Sequence, residues 1–259
     1  MELTVIKELY AEEMTLLKRI QKYGKEYPLV KMERVEKVKL ILLYRIFSNL
    51  HSAIILTSFA LKKREISFYQ LPIGLLLRCC FTDCLFALYI QRVDGAKADE
   101  ELDLRTIEYA NSMLERKEVY RDQVKSTGKF FDDDFIDHMW ELAMEENFLG
   151  YLTLDDNNLK EITVKKQSKD QLKEAGFSKV KSIGTKEIKD YLIEISGMET
   201  LVTRLYQYYK YFSQYEHFSE NGQGDVLVNA AETGNDNIHF PSAISVLSAG
   251  VEEIMTFKS

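Results

Sequence analysis

Proline and glycine, the residues that interrupt helices and shape turns, are scarce in this chain. It has 3 prolines and 12 glycines in 259 residues, against average usage of about 5% and 7%. Sandwiches, barrels and collagen-like chains need many such residues, so these folds and long disordered tails are disfavoured. With 46% hydrophobic and 29% charged residues, the chain has enough apolar material for one large core or two modest ones.

Cysteine is also rare, and its placement argues against a secreted protein. The three cysteines, Cys79, Cys80 and Cys84, fall within six residues of one another inside an apolar run. An odd number packed so closely does not form a disulfide framework, so a reducing compartment is the simpler interpretation. The first residues carry acids early and show no basic segment followed by an apolar block, so no signal peptide is expected. The sequence therefore predicts a cytoplasmic location.

The overall charge has the wrong sign for a domain that holds nucleic acid by bulk electrostatics. The formal net charge is −7, from 34 basic and 41 acidic side chains. One segment departs from this balance, because residues 160–189 carry nine lysines and four acids. This segment either binds RNA, through Lys165, Lys166, Lys169 and Lys173, or is a solvated lysine-rich surface.

Apolar residues recur at three- and four-residue steps along most of the chain, which indicates helices. The predicted helices cover 2–23, 30–63, 72–93, 98–123, a segment starting at Asp132, 185–218 as one helix or a pair, and 241 to about 255. Residues 150–184 differ, with short alternating pieces and a brief helix after Ser168, and are predicted to be a small irregular basic insertion. The prediction is a single all-α domain, residues 1–259, that forms a mainly antiparallel bundle of six to eight helices.

Two of these helices are apolar enough to be compared with membrane spans. Residues 40–61 contain Arg45 and His51, and residues 73–90 contain Arg78 and Asp83. A charge at the bilayer centre costs about 2.5–3.5 kcal/mol, so central helices of a soluble bundle explain both segments better than a membrane does. We expect them at the centre because their apolar residues surround the helix axis.

Motifs for several common chemistries are absent from the sequence. It has no Walker A loop, GxGxxG, HExxH or GxSxG motif and no paired CxxC. The acids at 132–137 are explained by the preference of helix N-termini for negative charge. Cys80 and Cys84 share a helix face without a suitable further ligand. No metal site and no cofactor is therefore predicted.

The charged pair Arg78 and Asp83 is the first candidate for a polar site. Both lie among leucines and phenylalanines, where a buried charge must be paired. A five-residue step separates them by roughly 140° around a helix, so each is expected to meet a partner from another helix. They form either a structural ion-pair network or a polar site in the centre of the bundle.

The second candidate is the tyrosine-rich segment 204–219, RLYQYYKYFSQYEHFS. On a helix, one stripe of this segment carries Tyr206, Tyr209, Ser213 and His217, beside an apolar face. Ser213 and His217 become neighbours, which suits either acid–base chemistry or a structural histidine. A patch rich in tyrosine is typical of protein interfaces, so we predict a two-fold homodimer with this helix at the interface. The alternative is that the last helix, 241–256, covers these tyrosines.

The apolar helix LLLRCCFTDCLFALYI and the late helix ending YYKYFSQYEHFS together resemble the HEPN-type superfamily of prokaryotic helical bundles. The resemblance covers about 40 residues. It implies a four- or five-helix core, frequent dimerisation, links to toxin and phage-defence systems and, in active members, metal-independent RNA cleavage by an Arg/His pair. His217 matches the histidine of the family. Where the family has an arginine shortly before that histidine, this chain has Tyr211 and Phe212, and the nearest preceding arginine is Arg204.

Two functions follow as hypotheses. In the first, the chain is a non-catalytic interaction or ligand-binding bundle, in which Arg78, Asp83, Tyr209 and Ser213 stabilise the core or bind a small polar ligand or a protein partner. In the second, it is a ribonuclease toxin or defence effector. His217 is then the acid–base group, and Arg78 or Arg204 stabilises the charge that develops on the phosphate.

Overall fold

The computed structural model describes only part of the chain, and every regular element in that part is an α-helix, which confirms the all-α prediction. The described residues are 3–26, 33–63, 66–109, 112, 169–174, 176–179, 181–213 and 239–256. The helix predicted from Asp132, most of the basic insertion at 150–184, and His217 lie outside the described residues.

The helices of the described part are labelled here in chain order. They are α1 (Leu3–Glu26), α2 (Arg34–Lys63), α3 (Ile66–Ile90), α4 (residues 95–109), α5 (Lys169–Glu174), α6 (Thr185–Ser196), α7 (Glu199–Ser213) and α8 (His239–Thr256). The chain divides into two compact units, of which the first comprises residues 1–93 and 184–259 and the second residues 94–183. The prediction of a single domain stays a prediction.

Helix α3 is the centre of the first unit. It packs against α2, α6, α7 and α8, and every residue from Asp83 to Gln91 is buried. A helix that is apolar all round is stable only when neighbours cover it on all sides, and the four surrounding helices meet this need. The central position predicted for this segment is therefore confirmed.

Helix α2 departs from the central position that was predicted for it. It packs mainly against α3 and α1, burying Leu43, Ile46 and Leu50, but leaves large apolar side chains exposed at Tyr44, Ile55 and Phe59. With two principal neighbours, α2 has an uncovered side. The expectation for α2 was wrong because composition does not show how many helices lie around an element.

The start of α3 also differs from the prediction. Pro72 was expected in the first turn, where its missing N–H costs nothing, but the helix begins at Ile66 and contains Pro72. The rings of Phe59 and Tyr69 make an edge-to-face contact at 5.6 Å. This contact packs the turn before the proline against the end of α2. Tertiary packing therefore supports a helical turn ahead of Pro72, where the proline by itself predicts the start of the helix.

Gly197 divides the segment 185–218 into a pair of helices. Its φ is +63°, in the left-handed region that glycine adopts without a steric penalty. The chain leaves α6 at Gly197 and enters α7 two residues later. Of the two arrangements left open by the sequence, the described residues therefore show the pair.

Two helical stretches are long and apolar enough to cross a membrane by length and composition. They are the 27 residues Arg34–Ala60 and the 20 residues Leu71–Ile90. Most of the second stretch is buried against other helices of the first unit, as in the core helix of a soluble protein. The absence of a membrane and the cytoplasmic location stay predictions.

In the second unit, carboxylates of α4 bind the segment 178–183. Glu100 accepts hydrogen bonds from the backbone and hydroxyl of Ser178, and Glu108 accepts the same two from Ser182. Buried Glu101 accepts from the Ile183 amide at 2.8 Å and pairs with Lys179 at 2.6 Å. These bonds satisfy the backbone amides of Ser178, Ser182 and Ile183, which lie outside helices.

We expect the three cysteines to differ in reactivity. Cys80 and Cys84 are buried, and this burial, with a smaller contribution from the charge of Asp83, raises the pKa of both thiols above their ordinary value. Cys79 is partly exposed. Since the thiolate is the nucleophile and its fraction falls tenfold per pKa unit, iodoacetamide should label Cys79 at least about tenfold faster than the other two in the native protein. Peptide mass spectrometry measures this, and equal labelling of all three would contradict the described core.

Candidate functional site

The candidate site lies where α3 meets α7, around Arg78. Its Nε donates a hydrogen bond of 3.3 Å to Oγ of Ser213, and its guanidinium carbon lies 5.8 Å from the centre of the Tyr209 ring. Ser213 is buried and its hydroxyl also donates to the Tyr209 carbonyl at 2.7 Å. The four-residue step from Tyr209 to Ser213 places both on one side of α7, as predicted.

The phenolic hydroxyl of Tyr209 is the second feature of the site. Burial alone raises the pKa of its hydroxyl, but hydrogen bonds with Thr185, Ser213 and Arg78, together with the Arg78 charge, outweigh burial and lower the pKa below its ordinary value. Thr185 is the first residue of α6. Side chains from α3, α6 and α7 therefore converge on one phenolic oxygen.

The break at Gly197 makes this convergence possible. Because the chain turns there, α6 and α7 pack against each other and both pack against α3. The Lys189 ammonium of α6 lies 5.4 Å from the centre of the Tyr206 ring, at a cation–π distance. Tyr206 and Tyr209 are half-buried, and cations of α6 and α3 cover part of their rings. The homodimer predicted from these tyrosines stays a prediction.

Asp83 does not join the Arg78 site. Its buried carboxylate forms an ion pair with Arg45 of α2 at 3.2 Å. Arg78 thus meets α7 and Asp83 meets α2, which confirms that each charge has a partner on another helix. Asp83 lies apart from Arg78 because the 140° between the two positions directs them to different neighbours. Its role as a binding residue stays a prediction.

The other predicted residues are only partly described. Arg204 is exposed on α7, about 140° around the helix from Tyr209, so it lies on a different side from the Arg78 site. Lys173 is exposed on α5. His217, Lys165 and Lys166 lie outside the described residues, as does the side chain of Lys169. Lys179, also in the lysine-rich segment, is already paired with Glu101.

A pair of residues between α1 and α2 was missed by the sequence argument. Oε1 of Glu13 lies 2.6 Å from Nδ1 of His51, and the Glu13 carboxylate is fully buried. The available signal was the position of Glu13 on the apolar stripe of α1. It falls in step with Leu9, Leu16 and Ile20, all of which are buried, and an acid at such a position requires a partner.

Comparison of the chain with protein-family models, with curated proteins and with solved structures found no match in any of the three. Among the described residues, no group of three or more His, Cys, Asp or Glu side chains is placed to hold a metal ion. The geometry around Arg78 is therefore the basis for the function proposed below.

Proposed function

We propose that this chain is an all-α ligand-binding protein that recognises a small anionic group, such as a phosphate, at the Arg78 site. The proposal keeps the HEPN-like, non-catalytic hypothesis and a toxin or phage-defence context. The observation that carries it is the hydrogen bond between Arg78 and Ser213, which joins a cation of the central helix to the hydroxyl-rich side of α7.

The chemistry of the cluster suits an anion. A guanidinium and the hydroxyls of Tyr209 and Thr185 are hydrogen-bond donors of the kind that bind phosphate oxygens. Ser213, whose proton is donated to the Tyr209 carbonyl, positions Arg78 as an acceptor. The same environment lowers the pKa of Tyr209, which means that it favours negative charge at this point. The negative charge of a bound phosphate would be favoured by the same environment.

A ribonuclease is the second candidate function. His217 follows Ser213 by four residues in the sequence, and Arg78 contacts Ser213, so an arginine from the neighbouring helix is brought to the end of α7. In this proposal His217 transfers the proton and Arg78 stabilises the phosphate. The reaction would need no metal ion.

The decisive experiment is a binding titration with Arg78→Gln. Calorimetry with inorganic phosphate, and fluorescence anisotropy with a short single-stranded RNA, should show binding by the wild type. Arg78→Gln should weaken it by at least about tenfold, since a charge-assisted bond contributes about 1.5–3 kcal/mol. Lys210→Gln is the matched control, because this exposed cation lies beside Tyr209 in the sequence but on another side of α7. Equal weakening by both variants would indicate non-specific charge attraction and reject the site.

The same proteins separate the two functions. Cleavage of the RNA in excess chelator, abolished by His217→Ala and by Arg78→Gln, would establish the ribonuclease. Phosphate binding that persists in His217→Ala, without cleavage by the wild type, would support the ligand-binding protein. If Arg78→Gln kept the phosphate binding and the RNA cleavage of the wild type, both proposed functions would be contradicted.

A further inference from the structure

Glu13 and His51 form a buried acid–imidazole pair between α1 and α2. Nδ1 of His51 lies 2.6 Å from Oε1 of Glu13. The Glu13 side chain is 0% exposed and that of His51 is 42% exposed. The second carboxylate oxygen, Oε2, is buried and has no hydrogen-bond partner among the described residues. The carboxyl half of the pair is thus enclosed, whereas the imidazole half reaches the solvent.

The charge state of the pair determines how well Glu13 tolerates burial. Burial raises the pKa of Glu13 above its ordinary value, and the hydrogen bond and charge of His51 only partly oppose this. A group whose folded-state pKa is raised stabilises the fold at low pH and loses that contribution as the pH rises through the folded-state pKa. The hydrogen bond with His51 satisfies Oε1 only. A carboxylate formed at higher pH would therefore stay buried with Oε2 unbonded among the described residues, which is costly.

The side chains around the pair hold the imidazole in place. His51 stacks on Phe47 at 5.8 Å between ring centres and meets the edge of Tyr10 at 6.4 Å. Tyr10 is a titratable neighbour of Glu13 on α1. Burial and the Glu13 charge raise its pKa, so it stays neutral while Glu13 titrates. Helix α8, which also packs on α1, contributes Glu252, and this acid is paired with Arg19.

The position of α1 makes it sensitive to this pair. Within the first unit, α1 packs mainly against α2 and to a lesser extent α8. It therefore lies outside the group of helices that surround α3. Peripheral helices open locally at a lower free energy than the core does. A change in the contact between α1 and α2 should therefore alter the opening of α1 and leave α3 closed.

We propose that Glu13 and His51 form a pH-sensitive latch that holds α1 on α2. The latch is closed while the buried Glu13 carboxyl keeps its proton, and it weakens when rising pH leaves a carboxylate buried beside His51. The conformational output is the release of α1, which would uncover the part of α2 that α1 covers.

Hydrogen exchange of the full chain tests the latch. Protection of α1 amides, corrected for the intrinsic pH dependence of exchange, should fall about tenfold as the pH rises from about 4.5, the ordinary pKa of a glutamic acid, to about 8.5. Protection in α3 should stay constant over this range. In Glu13→Gln, the neutral amide needs no countercharge, so α1 protection should be independent of pH. Glu12→Gln is the control, since this neighbouring acid is exposed and its loss should leave the wild-type dependence unchanged.

His51→Lys provides an independent test if Glu13→Gln folds poorly. A lysine keeps its charge over the whole range, so α1 should remain protected at about pH 8.5. Three outcomes would overturn the latch: α1 protection in the wild type that does not change with pH, the same dependence in Glu13→Gln as in the wild type, or a loss of protection in α3 that accompanies that in α1. The last result would indicate global unfolding.

Discussion

Phe81→Ala is expected to lower the free energy of unfolding by about 3–5 kcal/mol. Phe81 of α3 is completely buried. Its ring stacks on Tyr208 at 5.4 Å and on Phe212 at 5.9 Å, both on α7. Alanine would remove the ring from between these neighbours and leave a cavity that two large aromatic side chains cannot easily fill. The contact between α3 and α7 also positions Arg78 beside Ser213, so phosphate binding should weaken with stability.

Urea unfolding followed by circular dichroism measures this loss. Phe59→Ala is the control, because Phe59 is 46% exposed and meets the ring of Tyr69 only edge to face. It should cost less than about 1.5 kcal/mol. A similar loss in both variants would show that the three-ring stack does not carry the contact between α3 and α7.

Gly250→Ala is expected to destabilise the protein by about 1–3 kcal/mol through overpacking. A Cβ at position 250 would lie 2.5 Å from Sγ of Cys84 and 3.3 Å from both methyl carbons of Leu205. These atoms belong to α3 and α7, so α8 approaches both helices through a gap that only a hydrogen fills. Since Cys84 and Leu205 are fully buried, their side chains have little space into which to move.

A double variant identifies the cause. Cys84→Ala removes the closest atom, so the loss in the double variant Gly250→Ala, Cys84→Ala should be smaller than the sum of the two single losses. Gly95→Ala is the control, because its Cβ would have no neighbour within 4 Å. Additive losses in the double variant would mean that the sulfur is not the obstacle, and helix propensity would then be the simpler cause of any change.

Several features of the candidate site could be predicted from the residues alone. Arg78 and Asp83 lie in an apolar helix with an angular separation that excludes a mutual pair, and both find partners on other helices. The four-residue step between Tyr209 and Ser213 likewise placed them on one side of a helix. These predictions succeeded because they depend on the geometry of a single helix, which is the same in every protein.

The partners themselves could not be predicted in this way. Nothing in the sequence indicated that Ser213 would face Arg78, that Arg45 would pair with Asp83, or that Glu13 would meet His51 across 38 positions. Thr185 joined the site only because α6 and α7 pack side by side after Gly197. Each of these contacts depends on which helix faces approach one another.

The sequence by itself determined the class of the fold, because a chain poor in proline and glycine with apolar residues at helical spacing has few alternatives to a helical bundle. It also determined the central place of α3, whose apolar residues leave no side suited to water. Only the tertiary structure decided that α2 keeps an exposed side, that α3 starts before Pro72, and that Arg78 rather than Arg204 meets the hydroxyls of α7. The physical reason is that periodicity describes one helix at a time, whereas burial and pairing depend on the number and orientation of the neighbours around it.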